Sequence, residues 1–143
     1  MQLTQLVKNH SAVILTEANS NIKHPKFFNH IDRYIFNFSE EDFKTYAPDL
    51  LITIGQNVVS KKIKQFLRKA KPKNHWHIHE VWQPDTFFAL TEKVETKPEI
   101  FFSKLLKFTI VLSKINLLIL VTQFPKLSMY ITSPISIFSG SLK

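Results

Sequence analysis

Asp49-Leu50-Leu51-Ile52-Thr53-Ile54-Gly55-Gln56-Asn57-Val58-Val59-Ser60-Lys61-Lys62 is the stretch that decides the fold. An acidic start, a short unbroken apolar run, one glycine and then a basic amphipathic helix make one βα unit of a parallel sheet. Strands buried on both faces read as continuous Val/Ile/Leu runs rather than alternating ones. Gly55 can take φ > 0, which lets the chain turn sharply where the strand ends. The next helix then points its first N–H groups at the crevice beyond the strand ends. Open α/β sheets bind ligands there, and a helix start attracts anions.

Outward from this unit, the helix is read over Val58 to Ala70, with Val59, Ile63, Phe66, Leu67 and Ala70 as one apolar stripe and Lys61, Lys62, Lys64, Arg68 and Lys69 opposite. Pro72 stops it, and His75 to His79 reads as another strand. Upstream, Ser39 with Asp42 forms a capping box for a helix through Tyr46, which Pro48-Asp49 ends. Tyr34 to Phe38 reads as a strand, and Pro25 opens a short helical turn carrying Phe27, Phe28 and Ile31. Leu3 to Asn9 reads as the end of a helix, and Ala12 to Leu15 as a buried strand. Downstream, Thr96-Lys97-Pro98-Glu99 starts a helix with threonine as the cap, running through Phe101, Phe102, Leu105 and Phe108. Strands and helices alternating over short connections predict an α/β doubly wound, mostly parallel sheet. Such domains usually begin with a strand, so the helix fragment at the start implies an incomplete sheet whose first strand is missing.

With 143 residues the chain is long enough for one domain with a core. It has no cysteine, which excludes disulfides and thiolate metal sites and suits a reducing cytoplasm. The opening Met1-Gln2-Leu3-Thr4-Gln5 carries no signal-peptide pattern, and a cytoplasmic protein is expected. The net charge is +8, but every acidic residue lies at or before Glu99. The segment 109–143 holds three lysines and no carboxylate, which places a boundary near Phe108.

Ala12-Val13-Ile14-Leu15-Thr16-Glu17 with Asn19-Ser20-Asn21, His24-Pro25 with Phe27-Phe28, Asp49 through Phe66, and His75-Trp76-His77-Ile78 together resemble MenD of the Bacteroidetes type. That family is the thiamine-diphosphate-dependent synthase of menaquinone biosynthesis, 2-succinyl-5-enolpyruvyl-6-hydroxy-3-cyclohexene-1-carboxylate synthase. It decarboxylates 2-oxoglutarate and adds the succinyl unit to isochorismate. The resemblance covers residues 1–108 and the central of three domains, leaving 109–143 as a divergent or out-of-frame tail. It implies a fragment of a transferase (carboligase) that lacks activity alone. Thiamine diphosphate and Mg2+ are held in the family by the outer domains. The activating glutamate and the Gly-Asp-Gly metal motif have no counterpart among these residues, so neither cofactor is expected to bind this chain by itself. The complete enzyme is expected to be a homo-oligomer, and the remaining synthase domains are this segment's partners.

In the family, a basic residue near the start of the helix after Gly55 contacts a substrate carboxylate. Ungapped alignment puts Lys61 at that place, and a one-residue slip gives Lys62. A lysine beside a helix start supplies charge and donors to a dianion such as isochorismate; the plainer reading is a solvated lysine. Gln56, Asn57 and Ser60 are expected to line the same crevice, and Asn19 and Ser20 to face it if their strand is adjacent. No catalytic, cofactor or metal residue is assigned.

Two other readings stay open. His75, His77 and His79 alternate and would share a strand face, a spacing able to bind zinc or copper, or merely three partly exposed side chains near a sheet edge. The basic stretch Lys61 to Lys73 could contact phosphates as a nucleic-acid-binding module, although Phe66 belongs to the buried stripe and leaves no aromatic there for base stacking. Neither nucleic acid nor membrane is the expected partner. The apolar segment 108–124 contains Lys114, Asn116 and Gln123 and reads as a sticky extension rather than a membrane anchor.

Overall fold

The computed structural model describes residues 2–9, 12–108 and 114–122. Five strands, β1 (Ala12–Thr16), β2 (Leu50–Ile54), β3 (Asn74–Ile78), β4 (Glu92–Val94) and β5 (Leu117–Val121), form one sheet in the order β1-β5-β2-β3-β4. Every pairing is parallel. The helices are α1 (Gln2–Asn9), α2 (Ile31–Ile35), α3 (Glu40–Thr45), α4 (Lys61–Ala70) and α5 (Pro98–Leu105). The architecture is the α/β doubly wound parallel sheet read from the sequence.

Two apolar layers sandwich the sheet. Leu50, Ile52 and Ile54 of β2, with Leu117, Ile119 and Val121 of β5, face Leu3 and Leu6 of α1 and Phe102 and Leu105 of α5. The alternate residues Leu51, Leu118 and Leu120 face Ile31 and Ile35 of α2, Phe43 of α3, and Ile63, Phe66 and Leu67 of α4. All five residues of β2 and of β5 are buried, as the unbroken apolar runs require. Burying the three large α4 side chains contributes roughly 1.5–3 kcal/mol each.

Several local expectations are corrected. Tyr34 to Phe38 is not a strand: Ile31 and Ile35 point together into the core at helical spacing and make α2, leaving Tyr34 and Phe36 exposed. Pro25 lies in a turn, not a helical turn. Phe28 beyond it forms an isolated parallel bridge to Leu15, with Phe28 N–H donating to Ile14 O and Thr16 N–H to Phe28 O. This short segment covers the open edge of β1, where unpaired backbone groups would otherwise be presented. Helix α4 starts at Lys61 rather than Val58, so Val59 precedes it and is exposed instead of joining the stripe. Helix α5 has Lys97 at the cap position with no side-chain cap bond, in place of the expected threonine cap. The capping box holds: Ser39 Oγ accepts the Asp42 N–H and the Asp42 carboxylate accepts the Ser39 N–H at 2.7 Å.

The largest correction concerns Leu117–Val121. This part of the segment read as a sticky extension is a strand in the sheet interior, paired on one side with β1 and on the other with β2. Its entry is fixed by Asp49, whose carboxylate accepts the Asn116 N–H at 3.0 Å while Asp49 N–H donates to Asn116 O. Hydrogen bonds from Lys73 and Asn116 lower the Asp49 pKa and keep the carboxylate charged.

Candidate functional site

At the carboxyl ends of β1, β5 and β2 the chain turns outward and opens a crevice. Gly55 takes φ 102° at the end of β2, the left-handed region that the turn needs. Thr122 caps β5 by donating both its N–H and its hydroxyl to Ile54 O. Glu17 follows β1, with its N–H donating to Val121 O at 3.0 Å.

The start of α4 does draw an anion, and that anion is Glu17. Its buried carboxylate accepts the Val59 N–H at 2.9 and 3.0 Å and the Ser60 N–H at 2.8 Å. These N–H groups precede the first helical turn and have no intrahelical partner, so the carboxylate satisfies donors that folding would otherwise orphan. Ser60 is the helix cap: its Oγ accepts the Ile63 N–H at 3.1 Å and donates to the Asp32 carboxylate. Beside this cluster lies a cavity of about 350 Å3, lined by Glu17, Asn19, Asn29, Asp32, Arg33 and Ser60 among others. Thr16 Oγ1 donates to Asn29 Oδ1 at 2.9 Å, and Asn19 Oδ1 is buried with no hydrogen-bond partner among the described residues.

The residues expected at the crevice are distributed unevenly. Asn19 and Ser60 line the cavity together. Ser20 points inward, donating its hydroxyl to Glu17 O at 2.6 Å and accepting the Ile22 N–H at 3.2 Å. Gln56 and Asn57 are exposed on the loop between Gly55 and α4 and do not line the cavity. Lys61 is the first residue of α4 and exposed, next to the Glu17–Ser60 contact; Lys62 Nζ lies 4.9 Å above the Phe36 ring. Sequence reading missed Glu17 and Asp32 as site residues. An acid directly after a buried strand was the available signal for the first. Nothing local marked the second, because α2 reaches the crevice only through the fold.

The three histidines are not equivalent: His75 and His77 lie within β3, and His79 follows it, half-buried. His75 and His77 are buried rather than partly exposed: they lie on the α4 side of the sheet, beside Leu51 and Thr53, where the buried Phe87 ring sits 5.4 Å from the His75 ring. Thr53 Oγ1 lies between the two imidazoles, 2.8 Å from His75 Nε2 and 2.6 Å from His77 Nδ1. One hydroxyl proton serves one ring, and the other ring must donate to the oxygen. Desolvation, reinforced by the neighbouring His77, holds the His75 pKa down at about 4. Desolvation and the neighbouring His79 do the same for His77. Among the described residues no group of three His, Cys, Asp or Glu side chains is arranged to hold a metal ion.

The basic face of α4 has aromatic neighbours after all. The exposed Phe36 and Phe88 come from other segments, and each lies under a cation, Lys62 and Arg68 respectively. The rings are thereby paired within the protein. No helix among the described residues is long and apolar enough to cross a membrane.

No family model matches the chain, and no solved structure does. Curated proteins do. The chain is 48% identical over 107 residues to the 2-succinyl-5-enolpyruvyl-6-hydroxy-3-cyclohexene-1-carboxylate synthase of Flavobacterium johnsoniae, covering 75% of this chain and 19% of that protein. It is 46% identical over 99 residues to the synthase of the same name from Flavobacterium psychrophilum, covering 69% and 18%. The likeness to the Bacteroides thetaiotaomicron synthase is 36% over 104 residues, covering 71% and 19%. The chain thus spans about a fifth of the length of the curated relatives it matches, and it corresponds to a segment of these synthases.

Proposed function

We propose that this chain, a MenD-type sequence over most of its described length, supplies the central-domain part of a thiamine-diphosphate-dependent carboligase in menaquinone biosynthesis. The observation that carries the reading is the likeness to the Flavobacterium johnsoniae synthase over 107 residues. In the complete enzyme, 2-oxoglutarate is decarboxylated and its succinyl unit is added to isochorismate. The part of this chain is to wall one side of the substrate crevice.

The cofactor itself does not fit here. A magnesium-bound diphosphate needs free N–H donors and clustered metal ligands. The α4 start is already engaged by the Glu17 carboxylate, and the adjoining cavity sets two carboxylates, Glu17 and Asp32, against the single guanidinium of Arg33, which leaves no net positive charge to draw a phosphate. No step of cofactor chemistry therefore passes through these residues.

Lys61 is the proposed substrate contact. Exposed on the first turn of α4, it can extend toward a carboxylate beyond the Glu17–Ser60 contact while its stem stays fixed by the helix. Asn19, which lines the adjoining cavity, is proposed to offer its amide there, and Gln56, Asn57 and Ser20 are proposed with weaker claims. Residues 109–143 are proposed to be of separate sequence origin, although Leu117–Val121 completes the sheet.

The test is a chimera. Residues 2–108 replace the matching segment of the Flavobacterium johnsoniae synthase, and synthase activity is followed with isochorismate and 2-oxoglutarate. Retained activity is expected. Lys61→Ala in the chimera should raise KM for isochorismate by about tenfold with kcat little changed, the pattern of a lost ground-state contact. A folded chimera without activity would overturn the reading.

A further inference from the structure

The interior slot of the sheet between β1 and β2 is held by the strand that comes last in sequence among those described. The rest of the connectivity reserves that slot for something else. Crossovers between parallel strands are right-handed in nearly all cases, so the direction of travel along the sheet fixes which face the connecting helix covers. From β2 to β3 the chain moves away from β1, and α4 covers the face of Leu51, Leu118 and Leu120. A connection moving the opposite way must put its helix on the other face. Helix α1, which leads into β1, lies on that other face, with Leu3 and Leu6 packed among Ile14, Ile52 and Ile119. A strand feeding α1 would therefore lie on the β2 side of β1, in the slot. Numbered from that strand, the sheet has the order 2-1-3-4-5 common to doubly wound domains.

β5 reaches the same slot by a route that breaks no rule. From β4 it travels back toward β1, and the intervening α5 covers the face on which α1 lies, with Phe102 and Leu105 in that layer. The slot itself is undemanding: it needs five consecutive apolar residues, buried on both faces and running parallel. Leu117-Leu118-Ile119-Leu120-Val121 meets that need.

We infer that the slot between β1 and β2 is a strand acceptor, filled here by Leu117–Val121 and equally suited to a strand joined to the front of α1. The occupant is set by apolar pattern and parallel direction, not by the end of the chain from which it arrives. The inference rests on topology and stands or falls apart from the family reading.

A circular permutant of all 143 residues tests it. The chain is opened between Phe108 and Thr109, and Lys143 is joined to Met1 by a Gly/Ser linker, so that Leu117–Val121 precedes α1. The permutant should unfold in urea in one transition with about the parent's midpoint. Amide exchange protection over Leu117–Val121 should stay within about tenfold of the parent's. The same permutant carrying Leu118→Glu and Leu120→Glu should lose the transition. A permutant without protection at Leu117–Val121 beside a protected parent overturns the inference. A parent lacking that protection, or a Glu variant that keeps the transition, overturns it equally.

Discussion

The carboxylate of Glu17 accepts the backbone N–H of Ser60 at 2.8 Å, joining the end of β1 to the start of α4 across 43 residues of sequence. The crevice is thereby closed at its base by the protein's own acid. Glu17→Ala leaves the Val59 and Ser60 N–H groups without acceptors, and the expected loss is about 1–3 kcal/mol in urea unfolding. Glu17→Gln keeps one acceptor oxygen and should lose less. Equal stability of Glu17→Ala and the parent would show that the contact is not made.

Thr53→Val removes the hydroxyl shared by His75 and His77 while keeping the shape of the side chain. Two buried ring nitrogens then lack their partner, and a cost of about 1–3 kcal/mol is expected. His75 Nδ1 and His77 Nε2 are already without a hydrogen-bond partner among the described residues, which leaves these rings little to fall back on.

Acid should unfold the protein through the same pair. Above the unfolded value of about 6.5 both states are neutral, and no stability is lost. Because burial holds both folded values at about 4, the unfolded chain binds protons that the folded one refuses as pH falls from 6.5. Stability should decline through that window and level off, for this pair, below the folded values. Urea midpoints measured between about pH 7.5 and pH 4.5 check it; a flat profile would place the imidazoles in water.

Ile119→Ala probes whether β5 is integral. The side chain is fully buried, and a cavity at the sheet centre should cost about 2–5 kcal/mol. A change below about 0.5 kcal/mol, typical of surface sites, would mean that the strand is not docked.

Thiamine diphosphate titrated into the isolated chain with magnesium should give no saturable heat, since the α4 start is engaged by Glu17. A magnesium-dependent binding curve would contradict the assignment of the crevice.

What could be read from the sequence was what local chemistry determines. The β2–α4–β3 unit announces itself through an unbroken apolar run, a glycine corner and an amphipathic stripe, and Ser39 with Asp42 is a cap written in four residues. β5 could not be placed this way. Its neighbours Ile14 and Ile52 are remote in sequence, and an apolar run reads the same whether exposed or sandwiched. The burial of His75 and His77 was hidden because Phe87, which packs against His75, arrives from an irregular turn with no periodic pattern to reveal it. At the crevice, Asn19 and Ser60 were reached from strand ends and helix starts, while Asp32 was hidden because Ile31 and Ile35 set a helix where Tyr34 to Phe38 had suggested alternation.

The strand between β1 and β2 is synthesised after every other one described. Until Val121 has emerged from the ribosome, β1 and β2 have no common neighbour, and each offers a bare hydrogen-bonding edge flanked by apolar side chains. Closing the sheet must wait for this last described strand, and half-made sheets can pair with one another in the meantime. Yield in the cell should therefore depend on translation speed and chaperone supply more than the finished structure's stability would indicate.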